Sequence, residues 1–368
     1  MSNAAALPFD ATLEQYERQA AALFAALQAD NDAAVWKFKW EHPSFRGKLP
    51  ADVRAATLTI DDARLVVART YGFEGWEELK AFAAAVSQAG PERMFEEGVE
   101  AVVAGEVGKL RMMLGEHPEL VRARSMRRHH ATLLHYVAAN GVEGSRQRTP
   151  ANAVEVARVL LDAGAEVDAL ADMYDQKCTT MSMLVSSCHP ANAGVQAELA
   201  ELLVDRGAKL DEGPGTEWRS AVMTALQFGY LETAKRLAER GGIPENVAAA
   251  AGLGRVGDVE QLLAGADAKS RHAALALAAQ HGHAEVVRVL LDAGEDPNRF
   301  NPEGHHAHST PLHQAALAGH LDVVKLLVER GARLDVRDRI YQGTPLGWAE
   351  HGGQEEAAEY LKGVGASK

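Results

Sequence analysis

The amino-acid sequence predicts an all-α fold of stacked helix pairs, and this prediction rests on how residues 310–332 are built. The stretch reads TPLHQAALAGHLDVVKLLVERGA. Thr310 is expected to cap a helix with its side-chain oxygen, and Pro311 fits the first helical position, where no N–H donor is needed. Gly319 ends that helix, an apolar stripe at helical spacing follows, and Gly331 ends the second helix.

A second copy of the block, TPLGWA, begins at residue 344, which is 34 residues after the first. A unit made of one turn and two helices repeats at about this period. The Thr-Pro-Leu-His-x-Ala pattern of residues 310–315 resembles the signature of the ankyrin repeat. The resemblance implies an ankyrin-repeat solenoid, whose turn tips and first helices form a concave groove that binds a protein or peptide partner.

The composition excludes several classes of function. The chain has 368 residues, more than one ordinary core needs, and its net charge of −13 argues against a general nucleic-acid binder. It has two cysteines, no signal-like start and no long apolar run, so we expect a cytoplasmic protein without a membrane partner. No phosphate loop, dinucleotide fingerprint or metalloprotease motif occurs, so we expect no cofactor.

Residues 1–89 are predicted to form a small helical cap domain ahead of the repeats. Thr12 is expected to cap a helix that ends near Asp30, and residues 52–86 add at least two more helices. The strings DARLVVAR, from residue 62, and YGFEGW, from residue 71, resemble the helical domain that precedes ankyrin arrays in bacterial proteins. That resemblance implies a bacterial chain in which this domain covers the apolar face of the first repeat.

Residues 90–368 are predicted to hold about seven to eight repeats, some of them degenerate. The units are predicted at residues 95–115, 132–168, 179–211, 220–241, 246–265, 272–294, 310–331 and 344–363. Gly105 is expected to separate the first helix pair. The second and third units each carry an insertion, residues 141–150 and 188–194, at the same place in the repeat. Long inserted loops are more often functional than decorative.

The residues just before each turn signature are expected to be exposed and to line the groove. The expected row is Arg127, Arg128, His129, His130, Tyr174, Asp175, Gln176, Lys177, Glu217, Trp218, His305, His306, His308, Arg339, Tyr341 and Gln342. Aromatic and arginine side chains in such a row are typical of interface anchors, although an ordinary solvated loop explains any single residue equally well. The residues that we assign to partner binding are Arg128, His130, Tyr136, Asn140, Asp175, Trp218, His306 and Tyr341.

Histidines mark two further positions. His135 and His313 occupy the signature histidine position, where the resemblance implies bonds to the neighbouring turn, so we expect a structural role. His305, His306 and His308 lie on one turn, but adjacent histidines on a flexible turn make a weak metal site, and we expect no bound metal.

The alternative hypothesis is an enzyme or small-molecule binder that uses the repeats as its scaffold. If the second and third repeats stack at about 10 Å, their inserted loops face each other. The side chains that would then carry nucleophilic or acid–base catalysis are Glu143, Tyr174, Cys178 and His189. Acidic walls would favour a cationic substrate, such as an amine or a guanidino group. Cysteines that pack as small buried hydrophobes are the other explanation.

Overall fold

The computed structural model of the protein describes residues 6–211, 220–242 and 246–367. It divides into two compact units, unit 1 with residues 1–217 and unit 2 with residues 218–368. Both units are mainly helical, and the two short strands in the described ranges form one hairpin. The predicted all-α fold is therefore confirmed, whereas a domain boundary at residues 89 and 90 stays a prediction.

Five helices open unit 1: α1 Leu13–Gln28, α2 Asp32–Glu41, α3 Pro50–Ala55, α4 Ile60–Thr70 and α5 Trp76–Val86. Helix α1 begins as predicted, because the side chain of Thr12 accepts a hydrogen bond from the backbone N–H of Gln15 at 3.3 Å. The sequence pattern does not predict α2. Its Trp36 and Trp40 side chains are 45% and 70% exposed. Apolar side chains on the solvent side obscure the single stripe that marks an amphipathic helix.

Aromatic side chains fill the bend between α4 and α5. The rings of Tyr16 and Tyr71 meet edge to face with centroids 5.1 Å apart, and those of Phe73 and Phe82 lie 5.0 Å apart. All four side chains are buried. The segment from residue 71 to residue 76 is thus a tight bend packed with aromatic rings.

The rest of unit 1 consists of shorter elements. The helices and strands are α6 Pro91–Ala104, α7 Val107–Glu116, α8 Ala153–Asp162, β1 Ala171–Met173, β2 Gln176–Cys178, α9 Thr180–Leu184, α10 Cys188–Asn192 and α11 Gln196–Asp205. The 3₁₀ helices are Pro43–Phe45, Pro118–Arg122, Leu133–Ala138 and Gly144–Arg146. Gly105 ends α6 with a left-handed φ of 74°, which confirms the predicted helix pair.

The second repeat differs from its prediction. Thr132 opens a 3₁₀ helix, Leu133–Ala138, where the signature predicts an α-helix. Ala139 and Gly141 follow with left-handed φ values of 50° and 73°. These two residues turn the chain into the first insertion before a regular helix can propagate.

Strands β1 and β2 form an antiparallel hairpin just ahead of α9. Ala171 pairs with Cys178, and Met173 pairs with Gln176. Both residues of the hairpin tip have left-handed backbone, as a two-residue turn of this kind requires. The φ values are 55° for Tyr174 and 62° for Asp175.

Unit 2 is a stack of helix pairs. Its helices are α12 Ala221–Gln227, α13 Leu231–Glu239, α14 Val247–Gly252, α15 Val256–Leu263, α16 Ala268–Gln280, α17 Ala284–Asp292, α18 Pro311–Ala318, α19 Leu321–Glu329, α20 Pro345–His351 and α21 Glu355–Gly363. From α14 onward each first helix packs on the next first helix, and each second helix packs on the next second helix. Within the described ranges no helix combines the length and the apolar character that crossing a bilayer requires.

Histidine side chains join successive repeats of unit 2. Nε2 of His283 donates to the carbonyl oxygen of Gly252 at 2.9 Å, and Nε2 of His320 donates to that of Gln280 at 3.0 Å. The imidazole of His320 lies directly over Gly282, where an added Cβ would meet the ring at 2.6 Å. Each bend between helices therefore receives a side chain from the following repeat.

The signature histidines are fixed by the threonine three residues earlier. Nδ1 of His135 accepts the backbone N–H of Thr132 at 3.2 Å, and Nδ1 of His313 accepts that of Thr310 at 3.3 Å. Nε2 of His313 also donates to the carbonyl oxygen of Gly343, in the next turn, at 3.2 Å. Both rings are fully buried, so the predicted structural role is confirmed.

The cap predicted for Thr310 forms as a capping box with His313. The Thr310 side chain accepts from the backbone N–H of His313, while Nδ1 of His313 accepts the backbone N–H of Thr310 at 3.3 Å. The hydroxyl of Thr344 likewise accepts the backbone N–H of Gly347 at 3.3 Å. Both copies of the signature therefore begin their helix with a threonine cap.

Candidate binding surfaces

The predicted row of turn side chains alternates between core and solvent. Arg127 and His129 are each only 3% exposed, whereas Arg128 and His130 lie on the surface. His305 is likewise buried. The expectation that Arg127, His129 and His305 line an open groove is wrong, because these residues lie in tight turns that direct their side chains into the core.

A network of buried ions occupies the interior of unit 1. Arg127 donates to Glu96 at 2.6 Å, and Arg146 donates to Glu143 at 2.9 Å. Nε2 of His129 lies 3.1 Å from the second carboxylate oxygen of Glu143. All five side chains are buried, so the network is cut off from water and each charge needs its partner.

Two residues that the sequence assigns to a site belong to this interior. Burial alone would raise the pKa of the Glu143 carboxyl, but Arg127, the hydrogen bond from His129 and Arg146 outweigh burial and hold that pKa well below its usual range. The Tyr136 hydroxyl donates to Glu143 at 3.3 Å. Burial, and after it the negative charge of Glu143, raises the pKa of Tyr136. Glu143 and Tyr136 therefore lie in the core and not on an open surface.

The other groups of the enzyme hypothesis are only partly brought together. The hydroxyl of Tyr174 donates to Oδ1 of Asn140 at 2.6 Å, so these two side chains do meet. Cys178 is fully buried, and burial raises the pKa of its thiol to about 11, which disfavours the nucleophilic thiolate. His189 is half-buried. Since Glu143 and Cys178 are buried in separate contacts, the structure places no shared open site around them.

An open cleft of about 1170 Å³ lies in unit 1. The end of α2 with its following loop, the end of α4, the first insertion and the β1–β2 hairpin form its walls. Its lining residues are Lys39, Trp40, Glu41, His42, Pro43, Arg46, Gly47, Arg69, Glu74, Arg128, His129, Gly141, Val142, Gln147, Asp172, Met173, Tyr174, Asp175, Gln176 and Lys177. We call this feature the unit 1 cleft.

The charge of the unit 1 cleft differs from the expected acidic wall. Its basic side chains are Lys39, Arg46, Arg69, Arg128 and Lys177, and its acidic ones are Glu41, Glu74, Asp172 and Asp175. Arg46 donates to the carboxylate of Asp175 at 2.7 Å across the cleft, and both side chains are exposed. The lining is therefore mixed, with one more basic than acidic group, and offers no acidic pocket for a cation.

In unit 2 one carboxylate holds the turn of residues 338–343. Asp338 is buried and accepts the backbone N–H groups of Ile340, Tyr341 and Gly343 at 2.6 to 2.9 Å. It also accepts the indole N–H of Trp348 at 3.1 Å. Burial alone would raise the pKa of Asp338, but these hydrogen bonds lower it to about 2, so the carboxylate stays charged and the turn stays fixed near neutral pH.

This turn presents apolar side chains to solvent. Ile340 is 61% exposed and Tyr341 is 76% exposed. The ring of His308 meets the ring of Tyr341 with centroids 6.1 Å apart. The guanidinium of Arg339 lies over the ring of Phe300, 3.9 Å from its centroid. We call residues 338–343, together with the neighbouring side chains of His308 and Phe300, the unit 2 tip.

The remaining assigned residues lie elsewhere. His306 is exposed and its Nε2 donates to the carbonyl oxygen of Gln227 at 3.1 Å. Trp218 and Glu217 fall outside the described residues. His305 is buried and burial lowers its pKa to about 4, which leaves the ring neutral. Within the described ranges no group of three or more histidine, cysteine or acidic side chains is arranged to hold a metal ion.

Several residues of these surfaces escaped the sequence-based prediction. Asp338 and Ile340 lie directly beside the predicted residue Arg339. The signal for this turn would have been the apolar pair of Ile340 and Tyr341 just ahead of the Thr344 signature. Arg46 and Trp40 belong to the N-terminal helices and gave no signal, because they reach the repeats only through the fold.

Comparison with known proteins identifies the family. The family model for ankyrin repeats matches residues 246–338 and 301–368. Cyclin-dependent kinase 4 inhibitor B of Homo sapiens is 38% identical over 135 residues, which cover 36% of this chain and 95% of that protein. The chain belongs to the ankyrin repeat family.

Two other relatives are much longer than the matched segments. Ankyrin repeat and KH domain-containing protein mask-1 of Caenorhabditis elegans is 30% identical over 222 residues, which cover 58% of this chain and 8% of that protein. Ankyrin repeat and SAM domain-containing protein 6 of Mus musculus is 36% identical over 100 residues, which cover 27% of this chain and 11% of that protein. These relatives come from animals, and the bacterial origin implied by the N-terminal residues stays a prediction.

Proposed function

We propose that this ankyrin protein binds a protein or peptide partner through the exposed tips of its turns and the groove beside them. The observation that carries the proposal is the unit 2 tip, where Ile340 and Tyr341 stand in solvent on a backbone fixed by Asp338. Side chains of this kind gain free energy when a partner covers them. A turn that is already ordered loses little conformational entropy on binding.

The chemistry around the unit 2 tip fits a polypeptide partner. Tyrosine and arginine are enriched among interface anchors, and Arg339 lies two residues before Tyr341 in the chain. Among the relatives, Cyclin-dependent kinase 4 inhibitor B is named for its action on another protein. Both observations favour a protein or peptide over a small molecule.

The other residues assigned to partner binding differ in their exposure to solvent. Arg128, His130, Asp175 and His306 are exposed and remain proposed contacts. Tyr136 is buried and does not join them. A cytoplasmic location and a capping role for residues 1–89 also remain proposals. The enzyme acting on a cationic substrate is not carried forward, because Glu143 and Cys178 are buried and the cleft wall is not acidic.

The proposal is tested by panning a library of displayed random peptides against the full-length protein. Peptides that bind are then measured by fluorescence anisotropy against Tyr341→Ala and Ile340→Ala. We expect each variant to bind at least about tenfold more weakly, as loss of an anchor side chain usually does. Glu329→Ala, an exposed change on the second helix α19, serves as the matched control and should bind within about twofold of the unchanged protein.

Two outcomes would contradict the proposal. In the first, no peptide is enriched above an unrelated protein of similar charge. In the second, the enriched peptides bind the tip variants and the α19 control equally well. Circular dichroism of each variant should match the unchanged protein, because the altered side chains are exposed and contribute little to the core.

A further inference from the structure

We propose that the unit 1 cleft binds a carboxylate-rich segment of a partner protein, with Arg46, Arg69 and Arg128 as its anchors. This goes beyond the proposed function, since the cleft is formed by unit 1 alone and involves the N-terminal helices as well as a repeat turn.

Three arginines from separate elements converge on one side of the unit 1 cleft. Arg46 follows the 3₁₀ helix Pro43–Phe45, Arg69 lies in the last turn of α4, and Arg128 belongs to a repeat turn. The backbone N–H of Arg128 donates to the carbonyl oxygen of Gly72 at 2.9 Å, which fixes this turn against the N-terminal helices. The hydrogen bond and charge of Arg46 lower the pKa of Asp175, and the charges of Arg128 and Arg69 add to this effect.

Carboxylates of the chain itself occupy these arginines. Arg46 donates to Asp175 at 2.7 Å, and Arg69 donates to Glu74 at 2.8 Å. Arg128 lies 3.8 Å from the other oxygen of Glu74. Two carboxylates thus serve three guanidinium groups, and guanidinium groups pair best with carboxylates in a two-pronged geometry. The arrangement shows that this side of the cleft is suited to carboxylate groups.

The carboxylate of Asp175 is easily exchanged. Its side chain is 74% exposed and that of Arg46 is 82% exposed, so water competes with the ion pair and the pair contributes little to stability. Asp175 also lies at the tip of the β1–β2 hairpin, with left-handed backbone. A partner carboxylate can therefore take its place between the arginines without disturbing the core.

The space beside the arginines suits a peptide segment. At about 1170 Å³ the cleft exceeds most cavities for small ligands, which measure about 300–1,000 Å³. Trp40 and Tyr174, exposed by 70% and 59%, offer aromatic surface to the apolar parts of such a segment. The cleft also has an excess of basic groups in a chain whose net charge is −13, so a negatively charged segment meets less repulsion here than on the surface at large.

The test uses the full-length protein and a fluorescein-labelled nonapeptide with six glutamates around a central tryptophan and glycine at each end. Anisotropy titrations at low salt should show binding that a peptide with glutamine at the six positions lacks. Arg128→Ala should weaken binding at least about tenfold, as loss of a charged anchor does. Asp175→Asn should tighten binding severalfold, because the competing carboxylate is gone.

Asp335→Asn is the matched control for Asp175→Asn. Asp335 is also an exposed carboxylate in an ion pair, with Arg333 at 3.1 Å, but it lies in unit 2. Its replacement should leave the affinity unchanged, although it alters the net charge by the same amount. Equal affinities for Asp175→Asn and Asp335→Asn, or for Arg128→Ala and the unchanged protein, would overturn the proposal.

A second arm separates carboxylates from phosphate. The same titrations are run with a peptide that carries two phosphoserines in place of the glutamates, and with inorganic phosphate as competitor. Weaker binding of the phosphopeptide supports the carboxylate assignment, whereas binding more than about tenfold tighter would overturn it. None of these variants touches the unit 2 tip, which carries the proposed function, so a failure here removes Arg128 and Asp175 from the proposed contacts and leaves binding at the tip to its own test.

Discussion

The two units hold their repeats together by different chemistry. In unit 2 neutral imidazoles reach back to carbonyl groups of the preceding repeat, as His281 does to Leu226 at 2.9 Å. In unit 1 the repeats meet across buried ions, where Arg127 and Arg146 share the carboxylates of Glu96 and Glu143. Contacts between neighbouring repeats thus include uncharged histidine hydrogen bonds in unit 2 and paired full charges in unit 1.

The first insertion explains this difference. It supplies both Glu143 and Arg146, and its irregular backbone brings these side chains inward. A buried charge is tolerated only when an opposite charge and hydrogen bonds replace its water. The regular repeats of residues 246–367 need one uncharged side chain per bend, whereas an inserted loop must bring charges that balance each other.

The largest expected effect is that acid unfolds unit 2 before unit 1. The unit 2 histidines whose pKa is lowered by burial are His272, His281, His283, His305, His306 and His313. For His281 and His305 the pKa falls to about 4, against about 6.5 in an unfolded chain. The unfolded state then binds more protons, so stability is full above about pH 6.5 and is lost between that pH and about pH 4. The loss approaches about 1.4 kcal/mol per pH unit for each such histidine.

Hydrogen exchange measured by mass spectrometry between pH 7 and pH 4.5 checks this order. In unit 1 only His135, among the described histidines, has a pKa lowered by burial, and Glu143 stays charged over this range. The double variant His281→Gln, His305→Gln keeps hydrogen-bonding side chains that do not titrate, and it should move the acid transition of unit 2 to lower pH. Earlier loss of protection in unit 1 would contradict the comparison.

A smaller but still large effect is expected for Glu143→Gln in unit 1. Removing this charge leaves Arg127 and Arg146 with an incomplete set of buried partners, and we expect a loss of about 3–5 kcal/mol in the free energy of unfolding in urea. Glu295→Gln in unit 2 is the matched control. Glu295 is also buried, but its partner Arg271, at 3.1 Å, is 37% exposed and keeps part of its hydration. That variant should lose about 1 kcal/mol. Equal losses would show that burial of the network adds nothing.

The smallest expected effect concerns the histidine contacts of unit 2. Gly282→Ala meets a left-handed φ of 78° and places a Cβ 2.6 Å from the His320 ring, so we expect it to destabilise unit 2 by about 2 kcal/mol. Gly331→Ala has a similar φ of 87° but no neighbour within 4 Å, and it should cost about 1 kcal/mol. Thermal unfolding followed by circular dichroism measures both. If the two variants melt together, the imidazole contributes nothing to the stacking of repeats.

The sequence predicts local features of this protein better than contacts between distant residues. Thr12 and Gly105 each act over three or four residues, and their roles in capping and ending a helix were predicted correctly. The ion network joins residues 31 and 50 positions apart, such as Arg127 with Glu96 and Arg146 with Glu96. No spacing rule connects such pairs, because the insertion does not follow the period of the repeat.

The amino-acid sequence by itself determined the repeat architecture, since caps, left-handed glycines and helical periodicity are written within single units. Only the tertiary structure decided which turn side chains face solvent and which face the core. Arg127 and Arg128 are neighbours of the same type, yet one is buried among carboxylates and the other lines an open cleft. Their difference arises from what packs above each side chain, and that depends on residues far away in the chain.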